Sequence, residues 1–260
     1  TSGGDLDLEN MMGRIEAHTS GGDIDVSRVD GLIRVHTSGG DIKIVNSDGQ
    51  FNVSTSGGDL EFLHLTGNID AQTSGGSITL ENIEGESVEC RTSGGDIRAE
   101  DISANLTGRT SGGQIDLESI KGHVDVTTSR GDINAEQITG SLTCHTSGGD
   151  IEGEGIIGPV DASTTAGDIE LELSYDSSIK EYSFNLETRS GDIFIRIPTG
   201  LPVNVDAEIF GTGTPQELNS DIPLNISSTE NRVTGIGQIQ NGTIPLRLRA
   251  TFGTITIEQE

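Results

Sequence analysis

A motif that begins with Thr-Ser-Gly-Gly-Asp returns along about two thirds of the chain at a nearly constant interval of 18 residues. Copies and near copies begin at Thr1, Thr19, Thr37, Thr55, Thr73, Thr92, Thr110, Thr128, Thr146 and Thr164. One step, between Thr73 and Thr92, takes 19 residues. A fixed period of this kind indicates that each copy is one structural unit that stacks on its neighbours.

Within each copy the apolar residues keep fixed places. With the first threonine of residues 19–36 as position 1, the stretch TSGGDIDVSRVDGLIRVH has its apolar residues at positions 6, 8, 11, 15 and 17. These residues are Ile24, Val26, Val29, Ile33 and Val35. A spacing of two is typical of a strand with one buried face, so the pattern predicts two short strands per copy.

One such unit cannot bury its inward side chains alone, whereas stacked copies can, because equivalent strands pair in parallel about 4.8 Å apart. A propeller blade needs about 40–45 residues. A left-handed hexapeptide helix needs an apolar residue at every sixth place, and one of those places, position 5, is usually Asp. We therefore expect an all-β fold, a single-chain parallel β-solenoid with about 18 residues per coil, right-handed as parallel crossovers are.

The glycines mark the two bends of each predicted coil. Gly21 and Gly22 precede the first strand, and Gly31 precedes the second. Because tight turns need residues that adopt positive φ at low cost, we expect positive φ at all three. Gly31 has counterparts in other copies, namely Gly13, Gly49, Gly67, Gly85, Gly122, Gly140 and Gly158.

The pattern loosens towards the C-terminus. Residues 164–187 make a longer coil, and Thr188 starts another copy that reads TRSGDIFIRIP. Residues 198–245 hold five of the six prolines, so we expect loops with a few strands there, and we interpret the closing TFGTITI as a degenerate turn and strand. The prediction is a solenoid repeat region over 1–197 and a loop-rich C-terminal cap that continues the solenoid over 198–260.

The charge of the chain narrows the classes of partner. The 42 Asp and Glu outnumber the 15 Lys and Arg, which leaves a formal net charge of −27. Such a field opposes binding to nucleic acid or to an anionic membrane. No apolar run of the sequence reaches the roughly 18–20 residues that span a bilayer. We therefore expect no nucleic-acid binding and no direct membrane insertion of this segment.

Position 5 carries an aspartate in most copies. The column consists of Asp5, Asp23, Asp41, Asp59, Asp96, Asp132, Asp150, Asp168 and Asp192, with Ser77 and Gln114 as exceptions. Stacked carboxylates repel by about 1 kcal/mol even in water. One interpretation is that each accepts hydrogen bonds from the N–H groups of its own Ser-Gly-Gly turn. The alternative is calcium, which prefers clustered oxygens; the candidate ligands are Asp5, Asp23, Asp41, Asp59, Asp132, Asp150 and Asp168.

The outward positions of the two strands differ in charge. Positions 7 and 9 of the first strand are mostly acidic. Positions 14, 16 and 18 of the second strand mix arginines and histidines with a minority of acids. One face is therefore expected to be strongly acidic and the other nearly neutral. Solubility and edge protection are one explanation, and a docking surface on the neutral face is the other.

Other polar residues are weaker candidates. Cys90 and Cys144 both take inward position 17, three coils apart, which is about 14 Å by the strand spacing. We expect free, buried thiols rather than a disulfide or a nucleophile. His18 and His36 stack as neighbours, but two ligands without a third make a poor metal site. Since the acids repeat uniformly, no unique catalytic cluster arises, and we predict no catalytic residue and no cofactor.

The repeated TSGGDI and a closing segment from Asn241 of the form N-G-x-x-P-L-R-L-R-x-x-x-G-x-I-x-I resemble a bacterial family of adhesin-like domains of unknown function. The resemblance covers residues 1–187 and 241–258, and it departs in the final TFGT turn and in the long segment 198–240. It implies a parallel β-solenoid exported to the periplasm or cell surface. It brings no catalytic residues with it.

Taken together, these patterns predict a non-enzymatic, extracytoplasmic structural or adhesin-like binding module of a bacterium, with a protein or glycan surface as its ligand. One alternative is a calcium-binding surface module that uses the aspartate column. The second alternative is a polysaccharide-active parallel β-helix enzyme. Because the sequence begins at Thr1 inside a copy of the repeat, we expect an export signal upstream of it.

Overall fold

The computed structural model describes residues 1–211 and 217–260. Its fold is a parallel β-solenoid of about nine turns, with coils about 18 residues apart. The fold class predicted from the period is therefore confirmed. Within the described ranges, no helix is long and apolar enough to cross a membrane. The chain divides into two compact units, Thr1–Thr128 and Ser129–Glu260.

The first unit is a stack of coils in which each strand pairs in parallel with the equivalent strand one coil away. Its strands are β1 (Leu6–Glu9), β2 (Met12–His18), β3 (Ile24–Ser27), β4 (Asp30–His36), β5 (Ile42–Ser54), β6 (Leu60–Gln72), β7 (Ile78–Arg91), β8 (Ile97–Arg109), β9 (Ile115–Lys121) and β10 (Val124–Thr127). The register follows the period, because Ile24 lies opposite Ile42 and Ile42 lies opposite Leu60. Equivalent positions of successive coils thus form rows.

In β5 to β8 the two predicted strands of a coil run together into one strand of 13 or 14 residues. The chain bends at position 10, where Asn46 and His64 adopt left-handed φ values of 51° and 54°. The same conformation occurs at Asn10, Arg28, Asn82, Asp101, Ser119 and Gln137. Sequence reasoning missed this bend, because it looked for glycine, whereas polar residues, asparagine above all, also adopt the left-handed region.

The glycines before the first strand allow close packing between coils. Gly22 lies outside the left-handed region, and a Cβ on it would come within 2.3 Å of the carbonyl oxygen of Gly4. The expectation of positive φ at Gly21 and Gly22 is therefore wrong, whereas that for Gly31, with φ of 136°, is confirmed. Gly85 also lies outside the positive-φ set, because the extra residue of its coil forms a bulge in β7.

The core is a column of inward side chains. Ile24, Val26, Val29, Ile33 and Val35 are each at most 2% exposed, which confirms the inward positions of the repeat. Burial of one such side chain contributes about 1.5–3 kcal/mol. Since each coil covers the apolar face of the next, stability comes from stacking rather than from any single coil.

The second unit begins with the same coil pattern. Its strands are β11 (Ile133–Glu136), β12 (Leu142–His145), β13 (Ile151–Ile156), β14 (Val160–Thr164), β15 (Ile169–Leu173), β16 (Phe184–Thr188), β17 (Ile193–Ile197), β18 (Val203–Phe210), β19 (Leu218–Ser220), β20 (Asn225–Thr229), β21 (Arg232–Gln238), β22 (Ile244–Thr251) and β23 (Ile255–Gln259). Parallel pairing runs from β11 through β13 and β15 to β17, and from β12 through β14 to β16.

The C-terminal coil lies between two segments that precede it in sequence. β22 pairs in parallel with β16, and β23 pairs in parallel with β17. On their other sides, β22 pairs with β18 and β23 with β19. The antiparallel strands β21 and β20 then follow on β18. The interpretation of TFGTITI as a turn and strand of the solenoid is confirmed, and neither strand of this last coil is left as an open edge.

Candidate functional site

The threonine at position 1 joins each coil to its neighbour. Thr37 is fully buried, and its hydroxyl donates to the carbonyl oxygen of Gly22 at 3.0 Å and accepts from the N–H of Gly40 at 3.4 Å. Equivalent pairs of bonds occur at Thr19, Thr55, Thr73, Thr92, Thr110 and Thr146. Sequence reasoning did not single out this threonine, although it continues the two-residue spacing of inward positions 15 and 17.

The aspartates at position 5 form a hydrogen-bonded ladder between coils. Oδ1 of Asp5 accepts from the N–H of Asp23 at 3.0 Å, and Oδ1 of Asp23 accepts from the N–H of Asp41 at 2.8 Å. In the first unit the ladder continues through Asp41, Asp59, Ser77 and Asp96 to the N–H of Gln114. In the second unit it runs from Asp132 through Asp150, Asp168 and Asp192 to the N–H of Thr254. The donor predicted within the same turn is therefore wrong, because it belongs to the next coil.

These ladders contain all the aspartates proposed as calcium ligands. They are Asp5, Asp23, Asp41 and Asp59 in the first unit, and Asp132, Asp150 and Asp168 in the second. A hydrogen bond to a charged acceptor contributes about 1.5–3 kcal/mol, which offsets the repulsion of about 1 kcal/mol between neighbours. Among the residues that the structure describes, no three His, Cys, Asp or Glu side chains gather into a group that could hold a metal ion. Calcium binding stays a prediction.

In the first unit the outward face of the second strands is balanced in charge. Its rows at positions 14, 16 and 18 hold Arg14, Arg34, Arg91 and Arg109 against Glu16, Asp70, Glu89 and Asp125. The first-strand rows at positions 7 and 9 hold Lys43 and Arg98 against Asp7, Glu9, Asp25, Glu61, Glu81, Glu100, Asp116 and Glu118. We call these the neutral face and the acidic face. Their contrast agrees with the sequence pattern.

Ion pairs hold the arginines of the neutral face in place. Arg109 Nη2 lies 3.3 Å from Asp125 Oδ2, and Arg91 contacts the carboxylate of Glu89. The hydrogen bond from Arg14 lowers the pKa of Glu16. Exposed pairs of this kind contribute at most about 1 kcal/mol to stability. Their effect is to fix where each guanidinium points.

Two histidines of the neutral face stack on each other. The rings of His18 and His36 are parallel within 3°, with centroids 5.0 Å apart. His36 Nδ1 lies 2.8 Å from Ser54 Oγ. Corresponding nitrogens of rings stacked in this way are too far apart for one zinc ion, whose bonds to nitrogen are about 2.0–2.1 Å long. The geometry thus offers no two-histidine site for zinc.

A groove runs along the corner where the second strand of one coil leads into the first strand of the next. We call it the corner groove, and its volume is about 300 Å³. One side holds Gln72, Arg91 and Arg109, and the other holds Ser74, Ser93 and Ser111. Between them lie position-1 threonines, whose hydroxyls are engaged by the coil-to-coil bonds. The polar groups that can meet a ligand are therefore those of the two sides, where Arg91 and Arg109 keep further N–H donors beyond their ion pairs.

Cys90 and Cys144 are buried and are not joined in a disulfide, as the register predicts. Burial raises the pKa of the Cys90 thiol, and the charge of nearby Asp70 raises it further. A thiol with a raised pKa is a weak nucleophile at neutral pH.

Sequence reasoning also missed a charged network in the second unit. Glu208 of β18 is nearly buried, and Arg249 Nε of β22 lies 3.0 Å from its Oε2. Arg232 of β21 contacts the same carboxylate, and Arg249 Nη2 lies 2.8 Å from Asp206 Oδ2. The network therefore ties three neighbouring strands together. The arginines of the closing L-R-L-R stretch were the available signal.

Comparison with known families gives one finding. Residues 45–154 match the model of a family described as Toastrack DUF4097, a domain of unknown function. The matched range lies within the coils and covers less than half of the chain. No curated protein and no solved structure matches the chain. The match supports a solenoid domain of unknown function and leaves the adhesin role a prediction.

Proposed function

We propose that this protein is a non-enzymatic binding module that acts outside the cytoplasm of a bacterium, and that the neutral face of the first unit is its docking surface. The observation that carries the proposal is the contrast between the two faces. Four arginines balance four acids on the neutral face, whereas the acidic face repels most biological surfaces, which are themselves anionic.

The coil-to-coil bonds support a scaffold role. The buried threonine hydroxyls and the aspartate oxygens bind the backbone of neighbouring coils. Side chains of the outward rows therefore stand on strands that are fixed at a spacing of about 4.8 Å. A rigid scaffold of this kind holds polar groups in a fixed geometry, so less conformational entropy is lost when they bind a ligand.

The even distribution of titratable groups supports a non-enzymatic role. Catalysis needs an acid, base or nucleophile set apart from its neighbours by its environment. Here the aspartates repeat one bonding pattern from coil to coil, and the thiols are buried. The resemblance of the repeat to adhesin-like domains supports an extracytoplasmic location.

Two matched charge reversals test the docking face. Arg34→Glu changes the neutral face, where Arg34 pairs with Glu16 at 3.5 Å. Lys43→Glu makes the same change of charge on the acidic face, where Lys43 pairs with Glu61 at 2.9 Å. Binding of the labelled chain to whole bacterial cells and to a glycan array is measured for each variant, with melting curves to confirm folding.

We expect Arg34→Glu to weaken binding at least ten-fold and Lys43→Glu to leave it within two-fold. Equal effects of the two variants, or no binding by the unmodified chain, would overturn the docking face. Release of reducing ends from any glycan on the array would overturn the non-enzymatic assignment.

A further inference from the structure

We propose, on the basis of the binding role above, that the corner groove takes a neutral, hydroxyl-rich linear glycan. The groove has about 300 Å³ of space, at the lower end of the range of about 300–1,000 Å³ for small-ligand sites. Its lining reaches from Thr55 to Thr110, the first residues of four successive coils, which corresponds to a run of about 14 Å at the strand spacing. An extended oligosaccharide fits this shape better than a compact ligand.

The strand side of the groove offers donors in a fixed row. Gln72 lies opposite Arg91, and Arg91 lies opposite Arg109 in the parallel register. A guanidinium has five N–H donors and an amide has both donors and acceptors. Because Glu89 and Asp125 balance the two arginines, the row presents hydrogen-bond donors without net positive charge. Sugar hydroxyls are acceptors of this kind of bond.

The opposite side offers hydroxyls at the same interval. Ser74, Ser93 and Ser111 all line the groove and are exposed. A serine hydroxyl both donates and accepts, so it can pair with a sugar hydroxyl in either sense. Both sides repeat once per coil, so a ligand that itself repeats along its length can form similar hydrogen bonds at several coils. The groove therefore matches a repeating ligand.

Charge and ring content decide between glycan classes. The net charge of −27 disfavours sulfated or uronic polysaccharides. No aromatic ring is found among the described residues that line the groove, so affinity has to come from hydrogen bonds rather than stacking. It should therefore grow with the number of coils that the glycan crosses.

Titration calorimetry with defined oligosaccharides tests this site. The probes are neutral β-1,4-linked hexasaccharides of glucose, mannose and N-acetylglucosamine, the corresponding disaccharides, and a sulfated glucose hexasaccharide. The groove variant is Arg91→Ala with Arg109→Ala, and Ser93→Ala changes the other side. The control is Arg98→Ala, because Arg98 also pairs with an acid two residues away, at 3.2 Å, but on the acidic face.

We expect at least one neutral hexasaccharide to bind, at least ten-fold more tightly than its disaccharide. The double variant should lose at least ten-fold in affinity and Ser93→Ala a smaller factor, with Arg98→Ala within two-fold. Preference for the sulfated probe, unchanged binding in the double variant, or no hexasaccharide binding would overturn the site. If cells still bind in a manner that depends on Arg34, the groove fails and the docking face stands; if cells do not bind either, both fail.

Discussion

Alanine at Gly58 is expected to separate two coils of the first unit. A Cβ at Gly58 would lie 1.9 Å from the carbonyl oxygen of Gly40 and 2.4 Å from its carbonyl carbon. Since non-bonded heavy atoms are most stable at about 3.5–4.0 Å, the two coils would have to move apart by roughly 1.6–2.1 Å. The obstacle is backbone, so no side-chain rotation relieves it.

The hydrogen bonds at this corner determine how much stability Gly58→Ala is expected to lose. The Thr55 hydroxyl donates to Gly40 at 3.0 Å, and the N–H of Asp59 donates to Asp41 Oδ1 at 2.8 Å. The N–H of Ile42 donates to the carbonyl oxygen of Asp59 at 2.9 Å. With about 1 kcal/mol for each neutral bond and about 2 kcal/mol for the charged one, their loss lowers the free energy of unfolding by about 4 kcal/mol.

The neighbouring glycine provides the control. A Cβ at Gly57 would have its nearest contact at 3.6 Å, with the carbonyl oxygen of Gly39, so Gly57→Ala should cost less than about 1 kcal/mol. Urea unfolding followed by circular dichroism measures both variants, and hydrogen exchange locates the change. Gly58→Ala should lose protection in the two coils that begin at Thr37 and Thr55. A stability within 1 kcal/mol of the unmodified chain, or an equal loss from Gly57→Ala, would refute the reasoning.

Four further outcomes follow from the contacts of single side chains. Thr73→Val should lower the free energy of unfolding by about 1–3 kcal/mol, because two buried hydrogen bonds are lost, whereas Thr73→Ser should recover most of it in the same urea experiment. Asp41→Val should cost about 1–2 kcal/mol and Asp41→Asn much less, since the amide oxygen still accepts; equal losses would contradict the ladder. Glu208→Leu should cost about 2–3 kcal/mol, because it leaves two arginines without their shared acid, and an unchanged melting curve would count against that network. Cys90 and Cys144 should react with a thiol reagent only after unfolding, and fast labelling of the native chain would show that their burial is wrong.

The period of 18 residues was enough to predict the solenoid, because stacking of identical units allows few solutions. The alternation of Ile24, Val26, Ile33 and Val35 identified the core side chains, all of which are at most 2% exposed. These are properties of one coil repeated many times. Neither the period nor the inward positions depends on which residue of the next coil a side chain contacts.

The bonds between coils could not be predicted from one coil. The sequence places Asp23 in a turn, where bonding within the turn is the usual expectation. In the stacked coils, however, the backbone N–H of Asp41 in the next coil donates to Asp23 Oδ1 at 2.8 Å. Likewise, Gly22 is needed because a neighbouring carbonyl approaches it. Such contacts depend on how the turn of one coil lies over the turn of the next, which the sequence of a single repeat does not specify.

The order of strands at the end of the second unit also could not be predicted from the sequence. Nothing in the alternation of residues 203–210 shows that they pair with β22, which comes later in the chain. The pairing is secured by Glu208 and its two arginines, which are spread over about 40 residues of sequence. The L-R-L-R stretch shows that arginines are present, but nothing local in the sequence shows which acid each of them meets.

The difference between the positions that repeat in every coil and the positions that vary explains how a repeat of this kind can carry function. Threonine at position 1 and aspartate at position 5 hold neighbouring coils together, so substitutions there act on stability. Positions 14, 16 and 18 also bond between coils, as His36 does with Ser54 and Arg109 with Asp125. These side chains are partly or largely exposed, however, and the residues differ from coil to coil, as in the row His18, His36, Ser54, Gln72, Arg91 and Arg109. Because exposed contacts contribute little to stability, the residues at these positions can change to suit a ligand without unfolding the coil. If this is correct, substitutions along that row should change binding at least ten-fold while melting curves stay the same. If they alter melting but not binding, the docking surface lies elsewhere.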